Sequence, residues 1–157
     1  GEIMSFRIIG LDHNRFADLH ALSDTALAAR GAQRVQVAHP HSAPCRISLD
    51  DAEPGETVLL LSFAHQPAET PYQQRGPIFV RAGRTRFDAS GVVPPALARR
   101  TLSLRGYDSA DMMVAADLTE GADARRLIER FLGEPDVAYI HAHYARRGCF
   151  AAHIARA

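Results

Sequence analysis

The chain of 157 residues is 46% hydrophobic and 23% charged, the ordinary balance of one globular domain large enough to bury its own core. Its 18 basic residues balance 18 acidic ones, so net charge gives no reason to expect nucleic acid or an acidic membrane as a partner. No apolar run is long enough to span a membrane and no signal-peptide pattern opens the sequence, so we expect a cytoplasmic protein.

The first part of the chain predicts short strands and one helix. Alternating or continuous apolar residues favour strands at residues 6–11, 35–37, 45–49 and 57–63. Ser23 is a suitable N-cap for a helix over residues 24–30, which Gly31 would end. Two prolines make residues 39–44 a loop, because proline lacks the N–H that strand pairing needs. The run at 57–63 is apolar and bounded by turns, which predicts a strand near the middle of a sheet.

Residues 77–88 predict a hairpin that turns at Ala82-Gly83. This pairing sets an apolar face against a face that carries Arg81, Arg84 and Arg86. Because like charges that face each other on a sheet repel, these arginines need an anion or nearby carboxylates.

Two interpretations of this arginine face are open. In the first, it is a clamp for a carboxylate or phosphate ligand. The candidate ligand-binding residues are then Arg46, Arg81, Arg84 and Arg86. In the second, it is a solvated face that acids such as Asp88 and Glu69 neutralise.

The second part of the chain adds strands and the clearest helix. Strands are predicted at residues 102–104, 112–118 and 137–144, and a short helical turn begins at Pro94-Pro95. The helix covers residues 122–132, and its apolar stripe is Ala124, Leu127, Ile128, Phe131 and Leu132. Mostly strands, with two or three helices in no regular β-α alternation, indicate an α+β fold with a mostly antiparallel sheet. We find no boundary within residues 1–157 and predict a single domain.

The C-terminal stretch, residues 136–156, carries the densest set of chemically active side chains. Strand alternation places His141 and His143 on one face. If the turn is the three residues Arg146-Arg147-Gly148, His141 lies opposite His153. Four possible ligands then share a face: His141, His143, His153 and Cys149. Nitrogen and sulfur ligands of this kind suit a transition metal such as zinc.

A four-residue turn that starts at Ala145 changes this arrangement. Tyr144 would then lie opposite Cys149, and Cys149 and His153 would move to the face away from His141. The sequence does not choose between the two turns, because both end at a glycine. Histidines that bond backbone carbonyls are the structural alternative to a metal site.

The segment Pro44-Cys45-Arg46, preceded by His39 and His41, is a further candidate. A positive neighbour or a histidine activates a cysteine nucleophile, and Arg46 or a loop histidine could supply that activation. The alternative is a buried, inert Cys45, which is the commoner state of a free cysteine. The chain has no closely spaced cysteine pair, which excludes a conventional zinc ribbon.

Several blocks of the sequence resemble one bacterial family. They are PCRISLDDAEPGE at 44–56, LLLSFAHQP at 59–67, GPIFVR at 76–81, MMV at 112–114 and IHAHYARRGC at 140–149. Together they resemble the family catalogued as domain of unknown function 1203, over nearly the whole chain. The resemblance implies a short, single-domain bacterial protein, and it implies no activity, substrate, cofactor or catalytic residue.

Three functions are consistent with these patterns. The first is a small cytoplasmic protein that binds a small anionic ligand through a site lined by arginine and histidine. The second is a metal-dependent, hydrolase-like enzyme that uses the C-terminal histidines. The third is an interaction domain without a small-molecule site. The sequence does not indicate whether a reaction is catalysed, or the oligomeric state.

Overall fold

Two antiparallel sheets form the framework of the computed structural model, which describes residues 5–157. Their strands are β1 (Phe6–Ile9), β2 (Ala32–Gln36), β3 (Thr57–Gln66), β4 (Gln74–Val80), β5 (Asp88–Ser90), β6 (Thr101–Tyr107), β7 (Met113–Glu120), β8 (Tyr139–Tyr144) and β9 (Phe150–Arg156). The larger sheet has the order β5-β1-β9-β8-β6-β7, and the smaller has the order β2-β3-β4. The predicted α+β class with mostly antiparallel strands is confirmed, as is the central position of β3 in its sheet.

The helices are short. They are α1 (Asp24–Ala28), α2 (Pro95–Ala98) and α3 (Ala124–Leu132), with 3-10 segments at His13–Arg15, Ala17–Ala21 and Gly121–Asp123. The helix predicted over residues 122–132 ends at Leu132 as expected, whereas the helix predicted over residues 24–30 ends two residues earlier, at Ala28. The Ser23 hydroxyl accepts a hydrogen bond from the Ala26 N–H at 3.1 Å and so caps α1. Gly31 follows this helix with a φ of 68°, which glycine adopts without strain. Within the described residues, no helix is long and apolar enough to cross a membrane.

The main core lies between α3 and one face of the larger sheet. The whole apolar stripe predicted for α3 is buried there: Ala124, Leu127, Ile128, Phe131 and Leu132. Alternate residues of the strands meet this stripe, among them Ile8, Leu104, Ile140 and Ile154. Burial of side chains this large contributes roughly 2 kcal/mol each, so this packing fixes which face of β8 is left for other contacts.

The opposite face of the larger sheet is turned toward the smaller sheet. The smaller sheet has its own apolar core, which includes Phe16, Leu27, Ile47, Leu59, Phe63, Ile78 and Val80. Between the two cores, His65 of β3 stacks on Phe150 of β9, with ring centroids 5.1 Å apart. Gln66 of β3 donates a hydrogen bond to the Tyr139 hydroxyl of β8 at 2.9 Å. Aromatic and polar side chains therefore contribute to joining the two sheets.

The predicted hairpin over residues 77–88 is wrong. Strand β4 pairs with β3 instead, with Val80 opposite Leu59 and Ile78 opposite Leu61. The chain then crosses to the larger sheet, where β5 pairs with β1. Local alternation is the same in both arrangements, but pairing with β3 buries Ile78 and Val80 in the core of the smaller sheet.

The predicted strand at residues 45–49 is also wrong. Cys45 makes one isolated bridge to Phe79, after which the chain turns through Leu49, whose φ is 55°. Gly10 packs directly on this segment, and a Cβ atom there would lie 2.1 Å from the Ile47 carbonyl oxygen. The segment around Arg46 is thus held by close backbone contact rather than by strand pairing.

We expect Gly10→Ala to lower the free energy of unfolding by about 3 kcal/mol or more, because two backbones would have to separate. Gly76→Ala is the matched control, since a Cβ atom there meets nothing within 4 Å. Urea denaturation of both variants measures the difference. Equal stability of the two variants would contradict the close approach of Gly10 to Ile47.

Candidate functional site

The C-terminal hairpin combines both predicted turn registers. Next to the turn, the Tyr144 N–H donates to the Cys149 carbonyl at 2.9 Å, as the four-residue turn requires. Farther along, His141 lies opposite His153, as the three-residue turn requires. A β-bulge at Ala151 accommodates the difference, because one extra residue in β9 shifts the pairing by one position.

This bulge separates the four predicted metal ligands. His141, His143 and His153 share the face toward the smaller sheet. His141 and His143 meet His65 and Phe150 there, and His153 packs against His141. Cys149 packs against the main core on the other side of the sheet. Among residues 5–157, no three or more His, Cys, Asp or Glu side chains are arranged to hold a metal ion. The predicted four-ligand set is therefore not assembled.

His65, His141, His143 and His153 form a layer between the sheets, in which the first three are buried and His153 is half-buried. His65 and His143 have ring centroids 5.1 Å apart, and those of His141 and His153 are 5.5 Å apart. The Nδ1–H of His143 donates to the Gly148 carbonyl at 2.9 Å, while Nδ1 of His65 and of His141 has no hydrogen-bond partner within residues 5–157.

Burial keeps this histidine layer neutral. Burial is the main cause that lowers the pKa of His141 to about 3 and that of His143 to about 4, and the positive charge of Arg105 contributes to both shifts. Burial also lowers the pKa of His65 and that of His153. These neutral imidazoles contact one another edge to face and so help to hold the two sheets together.

The arginines predicted to bind a ligand lie in different places. Arg81 is buried, and its guanidinium donates to both oxygens of Glu56 at 2.7 Å and to Asp50 at 3.0 Å. Arg86 donates to the Gly10 carbonyl at 2.8 Å. Arg84 is exposed in the crossing segment. Among the four predicted residues, Arg46 alone lines a cleft beside the turn of the C-terminal hairpin.

A cleft of about 980 Å³ opens where the turn of the C-terminal hairpin meets the start of β6 and the loop before Cys45. Five arginines line it: Arg46, Arg99, Arg100, Arg146 and Arg147. The lining also includes His41, Phe79, Tyr144, Cys149 and the carboxylate Glu120. Glu120 and Asp51, which pairs with Arg100 behind the lining, offset two of the five arginine charges. The cleft therefore has an excess of three positive charges.

One wall of the cleft is held by Asp51, whose side chain is only 6% exposed. It accepts hydrogen bonds from Arg100 at 2.6 and 3.1 Å and lies 3.4 Å from Nη1 of Arg99. Arg100 also donates to the backbone carbonyl of His41 at 3.0 Å. Asp51 thus fixes the loop and the start of β6 together and sets the direction of both arginines.

The opposite wall is the turn of the C-terminal hairpin, which presents Arg146 and Arg147. Both are exposed, and their side chains make no ion pair or hydrogen bond with residues 5–157. Guanidinium groups bind carboxylate and phosphate oxygens in pairs through two parallel hydrogen bonds. This wall is therefore free to bind an anion.

Arg46 and Tyr144 form the buried base of the cleft, and Cys149 lies beside them. The Arg46 guanidinium is fully buried and donates to the Phe150 carbonyl at 2.8 Å and to Cys149 Sγ at 3.0 Å. Its Cζ lies 5.0 Å from the centre of the Tyr144 ring, as does that of Arg100. Burial raises the pKa of Tyr144 to about 12, so its hydroxyl remains protonated and can donate a hydrogen bond at neutral pH.

Most of the cleft was missed by reasoning from the sequence. Apart from Arg46, the lining arginines come from two Arg-Arg pairs, at residues 99–100 and 146–147. Each pair follows a predicted structural element, and this shared position is the signal that could have suggested a common site. The two pairs are more than 40 residues apart in the sequence, and they come together because β6 pairs with β8.

Comparison with protein families identifies the family of this chain. The model of the family described as "Protein of unknown function (DUF1203)" matches residues 42–156, a range that includes Arg46, Tyr144, Cys149 and both arginine pairs. No curated protein and no solved structure matches the chain. Because the family model covers most of its length, the chain belongs to the DUF1203 family.

Proposed function

We propose that the protein binds a small anionic ligand, a carboxylate or a phosphate, in the arginine-lined cleft. The observation that carries this proposal is the excess of positive charge in the cleft, with Arg146 and Arg147 free of carboxylate partners among residues 5–157. The volume of about 980 Å³ suits a metabolite-sized molecule. Like-charged side chains repel across such a space, and a bound anion removes that repulsion.

The arrangement of the two walls supports a ligand with an extended negative charge. Arg99 and Arg100 are partly neutralised by Asp51 and are held in place by it. Arg146 and Arg147 lie on the turn and keep their full charge. The first pair would position the ligand, and the second would supply most of the attraction.

The depth of the cleft distinguishes it from an ordinary exposed arginine patch. Isolated exposed charges contribute little to binding or stability, because water screens them. Here the base contains Arg46, of which 1% is exposed, and Tyr144, of which 5% is exposed. An anion that reaches these groups leaves water, and its hydrogen bonds to them are correspondingly stronger.

Inorganic phosphate and succinate are suitable first probes, with the thermal unfolding temperature as the measurement. At constant ionic strength, we expect one of them to raise this temperature, and saturation at 100 times its Kd corresponds to about 2.7 kcal/mol. The double variant Arg146→Gln/Arg147→Gln should abolish the rise, because it removes the unpaired charges.

The matched control is Arg84→Gln/Arg126→Gln, which removes the same charge from exposed positions that do not line the cleft. This variant should keep the full effect of the ligand. An equal loss in both double variants, or no effect of either anion on the wild-type protein, would refute binding in the cleft.

A further inference from the structure

Arg46 is a buried charge without a carboxylate partner in the described part of the chain. Its guanidinium donates to the Phe150 carbonyl at 2.8 Å, the Pro44 carbonyl at 2.5 Å and Cys149 Sγ at 3.0 Å. Arginine stays protonated in proteins, and a buried charge without a counterion costs several kcal/mol. Of its three acceptors, the cysteine sulfur is the only one that can carry a negative charge.

The two cysteines of the chain have opposite environments. Cys45 is fully buried, and its sulfur accepts a hydrogen bond from the Arg81 backbone N–H at 3.3 Å. Cys149 is partly exposed and lines the cleft. The predicted pairing of a cysteine with Arg46 therefore exists, but the cysteine is Cys149 rather than Cys45.

The Tyr144 hydroxyl is a second, independent sign of a ligand at this place. It is buried and has no hydrogen-bond partner within residues 5–157, although the residue lines the cleft. A buried hydroxyl without a partner costs about 1 to 3 kcal/mol. An oxygen of an anionic ligand in the base of the cleft would accept its hydrogen bond and remove that cost.

We propose that Cys149 is a nucleophile that forms a covalent bond with a small anionic electrophile held by Arg146 and Arg147. This inference rests on the proposed anion-binding function and adds a reaction to it. The sulfur donates an electron pair to the electrophilic carbon, and a C–S bond forms. The bond from that carbon to its leaving group breaks, and the leaving group takes both electrons of that bond. The thiol proton passes to solvent water.

The surrounding groups have distinct roles in this step. Arg46 stabilises negative charge on the sulfur, since its Nη2 lies 3.0 Å away. Tyr144 donates a hydrogen bond to an oxygen of the bound anion, so its effect depends on the negative charge of the reagent. Arg146 and Arg147 raise the local concentration of anionic reagents relative to neutral ones.

Alkylation by iodoacetate and by iodoacetamide tests the proposal, because the two reagents share a leaving group and differ in charge. The rate constants at Cys149 are measured on the intact protein by mass spectrometry, with glutathione as the reference thiol. We expect the ratio of the iodoacetate rate to the iodoacetamide rate at Cys149 to exceed that of glutathione by about tenfold. Cys45 should stay unmodified in both reactions, which shows that the protein is folded.

Three variants test which residues cause the preference of Cys149 for the anionic reagent. Arg146→Gln/Arg147→Gln should return the ratio to that of glutathione, whereas Arg84→Gln/Arg126→Gln should keep it. Tyr144→Phe removes only a hydroxyl that has no partner in the described residues, so the fold is retained. It should slow the iodoacetate reaction by about tenfold and leave the iodoacetamide reaction unchanged.

The result that overturns the proposal is a Cys149 ratio equal to that of glutathione. If phosphate or succinate still stabilises the protein in that case, anion binding stands and the nucleophile is refuted. If both the anion preference and the stabilisation are absent, the proposed function fails as well.

Discussion

Lowering the pH from about 7.5 to about 5 should reduce the free energy of unfolding by about 4 kcal/mol, because buried histidines that are neutral in the folded protein become charged on unfolding. In the unfolded chain, each histidine titrates near its ordinary pKa of 6.5. In the folded protein, the pKa of His141 is about 3 and that of His143 is about 4. Each of the two then contributes about 2 kcal/mol of the loss at pH 5.

The direction of this dependence follows from which state binds more protons. Between pH 6.5 and pH 4, the unfolded chain is protonated at both positions and the folded protein is not. Stability is therefore complete above about pH 6.5 and declines below it. The lowered pKa values of His65 and His153 act in the same direction.

The variant His141→Phe tests the origin of the loss. Phenylalanine retains an aromatic ring among Tyr107, Tyr139 and Phe150, and it removes a buried nitrogen that has no partner within residues 5–157. We expect stability equal to or above that of the wild type at pH 7.5, and an acid-induced loss smaller by about 2 kcal/mol.

Urea unfolding at the two pH values provides the measurement. His39→Gln is the control, because His39 lies in an exposed loop and should not affect the acid-induced loss. If His141→Phe and the wild type lose the same stability on acidification, the histidine layer is not the source.

The double variant Glu56→Gln/Asp50→Asn should lower the free energy of unfolding by about 4 kcal/mol, because it leaves the buried Arg81 without a negative partner. The Arg81 side chain is 6% exposed and makes hydrogen bonds of 2.7 to 3.0 Å to both acids. The hydrogen bonds from Arg81 lower the pKa of Glu56, as expected for a carboxylate that accepts from a guanidinium.

A third substitution separates the charge from the packing. Adding Arg81→Met to the double variant should recover most of the lost stability, since an apolar side chain needs no counterion in this position. Asp88→Asn is the matched control, because Asp88 also pairs with two nitrogens of one arginine, Arg7, but at an exposed site. It should have a much smaller effect. If the triple variant is no more stable than the double variant, the unpaired charge of Arg81 is not the cause of the loss.

The arginine face at residues 81–86 shows what local patterns leave open. The predicted alternatives were a ligand clamp and a face neutralised by acids. Arg81 is neutralised by acids, as the second alternative allowed, and the acids that reach it are Glu56 and Asp50. Which acid reaches a given arginine depends on the path of the chain between the sheets, and alternation within ten residues contains no information about that path.

The sequence by itself determined the fold class and part of the local structure. The α+β class, the capped helix after Ser23, the apolar stripe of α3 and the central position of β3 all follow from periodicity and from capping chemistry that acts within a few residues. The shared face of His141 and His143 follows from strand alternation in the same way.

Only the tertiary structure decided the candidate site. The bulge at Ala151 separates Cys149 from the histidines and turns it toward Arg46, more than 100 residues earlier in the chain. The pairing of β6 with β8 brings the two Arg-Arg pairs to one cleft. The physical reason is that hydrogen bonds and charges act over a few ångströms in space, and strand pairing across the whole chain decides which distant side chains come that close.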